Sequence, residues 1–251
     1  MFDIIYSPNL LKETLVDEMF LDESIAFKIA GFNVGTYKSL PRLAVKNEFL
    51  LYRGWMLNEE EYNELEEFAS KYNYRLITPK GNYYKAHYID NWIDLVKQKT
   101  PETFIFKSPE EYKRFLSDKN DKLEFFLKDS VKSLTTKRGS IALVSEVEDV
   151  FAILSEKRGI ENSYVLRKVH DFISGSEIRY FCYKGKVFSP NEYVSPLAIE
   201  ISNQFPELAF FSIDIIKDYA GKEWLVEIGD GQVSDLKMWD NQKFVSIFMN
   251  F

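Results

Sequence analysis

The chain has 251 residues, of which 45% are hydrophobic, 28% charged and 16% aromatic, enough for two modest domains or one large one. Its 32 basic and 39 acidic residues leave a net charge of −7, which disfavours nucleic acid as a partner. The single cysteine, Cys182, excludes an internal disulfide framework and a multi-cysteine zinc site, and two histidines leave little for a His-based metal centre. No apolar run approaches the ~18 residues of a membrane span, and Met1-Phe2-Asp3 lacks the basic start of a secretion signal. A cytoplasmic globular protein is expected.

In chain order, residues 44–52 hold the apolar stretch Phe49-Leu50-Leu51-Tyr52, a buried strand ending at Arg53-Gly54-Trp55. A helix follows, with Asn58 as cap, Glu61 three positions on, and Tyr62, Leu65, Phe68, Ala69 and Tyr72 at helical spacing. Arg75-Leu76-Ile77-Thr78 reads as the next strand, so this half is a small α/β region. Ser108-Pro109-Glu110-Glu111 is a second helix start, and the domain boundary falls just before it, dividing the chain into residues 1–100 and 101–251.

The second half is richer in strands. Residues 123–128 form an apolar run ending in Lys128, and residues 140–144 can pair with it. Ser145 and Glu148 predict a capping box for a helix that Gly159 stops. Strands are then expected over residues 164–169 and 177–183, with Lys184-Gly185 turning the latter into 186–188. Residues 210–216 and 224–228 flank the turn Asp218-Tyr219-Ala220-Gly221. The expected result is a mostly antiparallel sheet with helices on one side.

Several of these segments carry chemistry. Asp214 and Glu227 each sit inside an apolar strand, where an unpartnered carboxylate costs several kcal/mol or a large pKa shift. Mg²⁺ between them would offset their repulsion, and pairing with Lys217 or Lys222 is the plainer alternative. Lys128, followed by a polar loop with Lys132, Thr135, Thr136, Lys137, Arg138 and Gly139, suits either a phosphate cover or a solvated hairpin tip. Glu177 and Arg179 share one strand face, either as a simple ion pair or as nucleotide-site residues. Arg53, at a strand end beside Trp55, is either a ligand-binding group or a surface arginine. Cys182 reads as a small core residue.

Taken in order, the strand lysine and its loop, the linker before Glu177, and Asp214 followed by Glu227 resemble the ATP-grasp fold over roughly residues 101–240. The stretches at 126–133 and 226–234, with Tyr52-Arg53-Gly54-Trp55, look like a phage and bacterial clade of that family marked by an arginine and two lysines. The resemblance implies an α+β protein in which two subdomains enclose ATP, preceded by the α/β region. It implies Lys128 on the α- and β-phosphates, the 129–139 loop over the γ-phosphate, and the backbone of Asp171 and Ile173 along the adenine edge. Glu177 would meet the ribose. Asp214 and Glu227 would be Mg²⁺ ligands. The family's usual asparagine ligand two positions after the glutamate is Gly229 here, and Asp230 takes its place as third ligand.

The implied activity is an ATP-dependent carboxylate–amine ligase working through an acyl phosphate, with ATP and Mg²⁺ as cofactors. Lys128, Lys132 and Arg179 would offset phosphate charge, and Arg53 would hold the substrate carboxylate. Small-molecule or peptide carboxylates and amines are the expected partners, in bacterial or phage-infected host cytosol. A non-catalytic ATP-binding module and an ATP-grasp kinase are the alternatives.

Overall fold

The computed structural model describes residues 1–43, 46–134 and 139–249. Its strands are β1 (Asp3–Tyr6), β2 (Asn33–Gly35), β3 (Phe49–Arg53), β4 (Arg75–Leu76), β5 (Thr103–Phe106), β6 (Glu124–Asp129), β7 (Ile141–Leu143), β8 (Tyr164–Lys168), β9 (Ile178–Tyr183), β10 (Lys186–Phe188), β11 (Phe210–Lys217) and β12 (Glu223–Asp230). Its helices are α1 (Leu21–Ile29), α2 (Glu59–Lys71), α3 (Lys80–His87), α4 (Ile93–Val96), α5 (Pro109–Leu116), α6 (Val147–Arg158), α7 (Pro196–Ser202) and α8 (Asn241–Ser246). The class is α+β, as expected. The second half does not make one sheet, however: its strands divide between two four-stranded sheets, ordered β5-β8-β6-β7 and β10-β9-β11-β12. No helix among the described residues is long and apolar enough to cross a membrane.

Two compact units result, both discontinuous in sequence. One comprises Met1–Ala86, Ile178–Asp214 and Gly229–Phe251, the other His87–Glu177 and Ile215–Ile228.

The first unit contains a parallel sheet ordered β2-β1-β3-β4. Strand β1 is buried along its whole length, as a parallel strand covered on both faces must be. Its four residues are too short a run to announce themselves, and neither it nor α1 is evident from the sequence. Ile4, Tyr6 and Leu51 face a core with Phe27, Phe181, Phe210 and Phe244, while Ile5, Leu50 and Tyr52 pack against Tyr62 and Leu65 of α2. The α2 capping box forms as predicted: Asn58 Oδ1 accepts from Glu61 N at 3.0 Å, and Glu61 Oε2 accepts from Asn58 N at 2.8 Å. The β9–β10 hairpin turns at Lys184 and Gly185, whose φ angles of 47° and 77° are those of a tight primed turn.

In the second unit, β5, β8, β6 and β7 pair antiparallel throughout. Alternation decides which face does what. Phe125, Leu127, Ala142 and Leu166 join Tyr112, Leu116, Val147 and Phe151 in one apolar cluster. The positions between them on β6 and β8, Lys128 and Arg167 among them, belong to the opposite face. Ser108 caps α5 as expected. The α6 cap differs from expectation: a 3₁₀ turn over Val144–Glu146 precedes the helix, and Glu146 Oε2 accepts from Leu143 N at 2.9 Å. Glu148, freed from that duty, pairs with Lys113 instead.

Replacing the Asn58 cap by alanine is expected to lower stability by about 1 kcal/mol, read as an earlier urea midpoint at unchanged slope.

Candidate active site

Two buried cations dominate the functional face of the second unit. Register places Lys128 opposite Val165 and Arg167 opposite Phe126, so both side chains rise from one face of the β6–β8 pair. Lys128 is 4% exposed and Arg167 5%. Burial pulls the Lys128 ammonium down to about 8, with Arg167 adding to the depression and Glu227, Asp129 and Asp90 opposing it. Burial likewise lowers Arg167, to about 10, against the pull of Glu227. Arg167 Nε donates to Thr103 Oγ1 at 3.0 Å and Nη1 to the Val226 carbonyl at 2.7 Å, while Nη2 has no partner among the described residues. Sequence reasoning misses Arg167. Its signal is the same as that of Lys128, a cation inside an apolar strand.

The chain leaving Lys128 is a built turn. Asp129 Oδ1 accepts from the backbone N of Val131 and Lys132 at 2.8 and 2.5 Å, and Leu134 N closes on the Leu127 carbonyl at 3.0 Å. Lys128 Nζ donates to the Asp129 carbonyl at 3.0 Å. Thr135, Thr136, Lys137 and Arg138, also assigned to this loop, lie outside the described residues. Beside the turn is buried His87, lowered to about 4 by burial and by the Lys132 and Lys128 charges.

The linker over residues 170–175 is more occupied than expected. Ile173 N donates to the Lys217 carbonyl at 2.8 Å, and the Ile173 carbonyl accepts from Ser176 N and Oγ at 3.1 and 2.7 Å. Both backbone groups thus serve the protein itself, whereas Asp171 is exposed. His170 stacks between Phe172 and Trp224, with ring centroids 4.9 and 4.6 Å away, and its Nε2 lies 3.3 Å from Asp218 Oδ2. Glu177 is half-buried at the linker's end.

In the first unit, Arg179 of β9 grips Asp214 of β11 with two bonds, Nε to Oδ1 at 2.8 Å and Nη2 to Oδ2 at 2.7 Å. Lys237 Nζ joins Asp214 Oδ2 at 2.8 Å, and Arg179 Nη1 reaches Asp235 Oδ1 at 2.6 Å. Burial would raise the Asp214 carboxyl, but the two cations outweigh it and hold it below its ordinary value. Asp230 behaves oppositely. Burial pushes its carboxyl up to about 7; Oδ1 accepts from Gln232 N at 2.9 Å, and Oδ2 has no partner among the described residues. No three His, Cys, Asp or Glu side chains group around a possible metal position among the described residues. The arrangement therefore does not fit a ready-made Mg²⁺ cradle of Asp214, Glu227 and Asp230, because Asp214 is neutralised by Arg179 and Lys237 and Asp230 is drawn toward its uncharged form.

Arg53 is neither on the surface nor open to a ligand. At 1% exposure it binds Glu23 through Nε (2.8 Å) and Nη2 (2.5 Å), and Nη1 donates to the carbonyls of Gly231 and Ser234. Gly54 N adds a bond to the Gln232 carbonyl at 3.1 Å. The Arg53-Gly54 pair thereby clasps the segment that follows β12. Glycine is needed at 231, since a Cβ there would lie 2.6 Å from the Phe210 ring.

A profile for the ATP-grasp domain, family 3 of the clade named for one arginine and two lysines, matches residues 108–247, more than half of the chain. The chain belongs to that family. Among solved structures, the fold resembles the D-cycloserine synthetase DcsG at a TM-score of 0.62 and 14% identity, covering 98% of this chain and 97% of that one. It also resembles the macrocyclase MdnC from Microcystis aeruginosa MRC, solved with precursor peptide MdnA, at 0.55 and 14% identity, with 100% and 99% covered. A third is the ATP-grasp ligase PsnB, solved with minimal precursor, Mg and ADP, at 0.57 and 9% identity, with 98% and 95% covered. At these identities the likeness is one of fold. No curated protein sequence matches the chain.

Within this ATP-grasp chain, removing the partner of a buried cation has a definite cost. Glu23→Gln leaves the Arg53 guanidinium buried and uncompensated and is expected to lower unfolding free energy by about 3–5 kcal/mol in urea titration. His87 makes stability depend on pH. Its folded value of about 4 lies below the ordinary 6.5, so its contribution is complete above pH 6.5 and is lost as pH falls toward 4. Melting temperature should fall less between pH 7 and 4.5 in His87→Gln than in the unmutated protein.

Proposed function

We propose that the protein is an ATP-dependent carboxylate–amine ligase that takes Mg·ATP as a substrate. The observation carrying this reading is the pair of buried cations, Lys128 and Arg167, on one face of the β6–β8 strand pair, which lies wholly within the ATP-grasp match. A buried ammonium and a guanidinium with one unpartnered nitrogen among the described residues are donors suited to phosphate oxygens. The MdnC and PsnB structures contain precursor peptides, and PsnB contains Mg and ADP, which favours a peptide or similar carboxylate as the acceptor. In this proposal residues 1–100 precede an ATP-grasp domain over residues 101–251.

The proposed reaction has two steps. A substrate carboxylate oxygen attacks the γ-phosphorus, the bond to the β–γ bridging oxygen breaks, and ADP leaves with its electron pair. The amine nitrogen of the second substrate then attacks the acyl carbon, inorganic phosphate departs, and the nitrogen loses a proton. Both steps gather negative charge in one place. Lys128 and Arg167 offset it on the sheet face, and Lys132 contributes from the adjoining turn. Glu177 is proposed for the ribose and the exposed Asp171 for the linker contact. Arg179 enters only if it exchanges Asp214 for phosphate. Arg53 is reassigned from substrate carboxylate to holding the segment after β12, because its charge is already taken by Glu23.

One observation favours a second reading. With Asp214 ion-paired to Arg179 and Lys237, and Asp230 near its uncharged form, the acids are set for holding structure, as a nucleotide-binding module without turnover would require.

Millimolar ATP with Mg²⁺ is expected to raise the melting temperature, and Lys128→Ala to weaken nucleotide binding by about 10- to 100-fold, the worth of a charged hydrogen bond. Mass spectrometry of carboxylate and amine mixtures should then show a condensation product with ADP, and hydroxylamine should trap the acyl phosphate as a hydroxamate. Binding without any product supports the module; a hydroxylamine-stable phosphoester supports a kinase; no melting shift with nucleotide removes all three.

A further inference from the structure

The turn that follows Lys128 is tethered to a carboxylate that the reaction itself does not use. Asp90, in the segment between α3 and α4, accepts from Ser130 Oγ on one oxygen and, on the other, from Ser163 Oγ at 2.5 Å and Lys107 Nζ at 2.6 Å. Ser130 and Ser163 are buried, and Lys107 Nζ also meets Ser163 Oγ at 2.8 Å, so the four side chains form one closed network. The main chain reinforces it: Ile89 N donates to the Ser130 carbonyl at 3.0 Å, and Ser130 N to the Glu161 carbonyl at 3.2 Å.

We infer that Asp90 is a positioning residue for Lys128, acting through Ser130. The Lys128 ammonium rests on the Asp129 carbonyl, and that carbonyl belongs to the peptide group shared with Ser130. Any rotation of the Ser130 backbone swings the oxygen that holds the ammonium. Asp90 opposes that rotation from the side chain while Ile89 and Glu161 oppose it from the main chain. A network of this kind, fully satisfied and largely buried, is stiff. The inference rests on the proposed role of Lys128 as a nucleotide-phosphate donor, since a positioning effect has meaning only if the ammonium is used.

A double-mutant cycle read by the dissociation constant for Mg·ADP tests it. Ser130→Ala is expected to weaken Mg·ADP by about 5- to 10-fold in the otherwise unmutated protein, but by less than about 2-fold when Lys128→Ala is already present, because the group being positioned is gone. Ser130→Thr keeps the hydroxyl and should restore most of the affinity. Asp90→Asn, nearly isosteric, serves as the second variant should Ser130→Ala fold poorly, and is expected to show the same dependence on Lys128. An unchanged dissociation constant in Ser130→Ala or Asp90→Asn overturns the inference and leaves the nucleotide reading standing. Equal losses with and without Lys128 also overturn it, by showing a general weakening of the fold. If the unmutated protein binds no Mg·ADP, the nucleotide reading falls and this inference falls with it.

Discussion

A cation inside a folded protein must be compensated, and the placement of four such cations organises this molecule. Taking a charge out of water costs several kcal/mol unless opposite charge and hydrogen bonds replace the solvent. Arg53 and Arg179 meet that demand internally. Each grips a buried carboxylate through two nitrogens, Glu23 in one case and Asp214 in the other. Lys128 and Arg167 do not. They lean on backbone carbonyls and a threonine hydroxyl, with Glu227 supplying only a distributed attraction. The contrast separates structural charge from charge held ready for a ligand.

The same contrast explains why the arginine of the Tyr52-Arg53-Gly54-Trp55 stretch has so large a structural reach. Its guanidinium unites α1, through Glu23, with the carbonyls of the segment after β12. Gly54 and Gly231 permit the approach, since a side chain at either would collide with Ser7 and Tyr52 or with Phe210. A motif that looks like a ligand contact is thus a clasp between distant parts of one compact unit. Its chemistry, planar and multiply donating, suits two carbonyls and a carboxylate as well as it suits a substrate.

Much of the architecture is legible in the sequence. The α2 capping box, the Ser108 start of α5, the Lys184-Gly185 hairpin and the pairing of β6 with β7 rest on local interactions, and all form as expected. The α6 cap does not, because Glu146 and Glu148 are both within reach of the helix start and a 3₁₀ turn selects the former. Strand β1 escapes notice for a different reason. Four consecutive buried residues have no period to detect, and only their parallel neighbours β2 and β3 make them a strand. Arg167 is missed because a cation followed by a second one, Lys168, reads as surface until the register shows that only one of them points outward.

Residue types and their order determined the α+β class, the ATP-grasp resemblance and the identity of the lysine near the end of β6, since these depend on local propensity and on a linear succession of motifs. Tertiary structure decided the partners. Whether Asp214 meets a metal or a cationic side chain, whether Arg53 meets a substrate or Glu23, and whether Ile173 offers its backbone to a base or to Lys217 are questions of which groups come within about 3 Å. Charge pairing acts between residues 35 positions apart in the Arg179–Asp214 case, and sequence spacing carries no record of that distance.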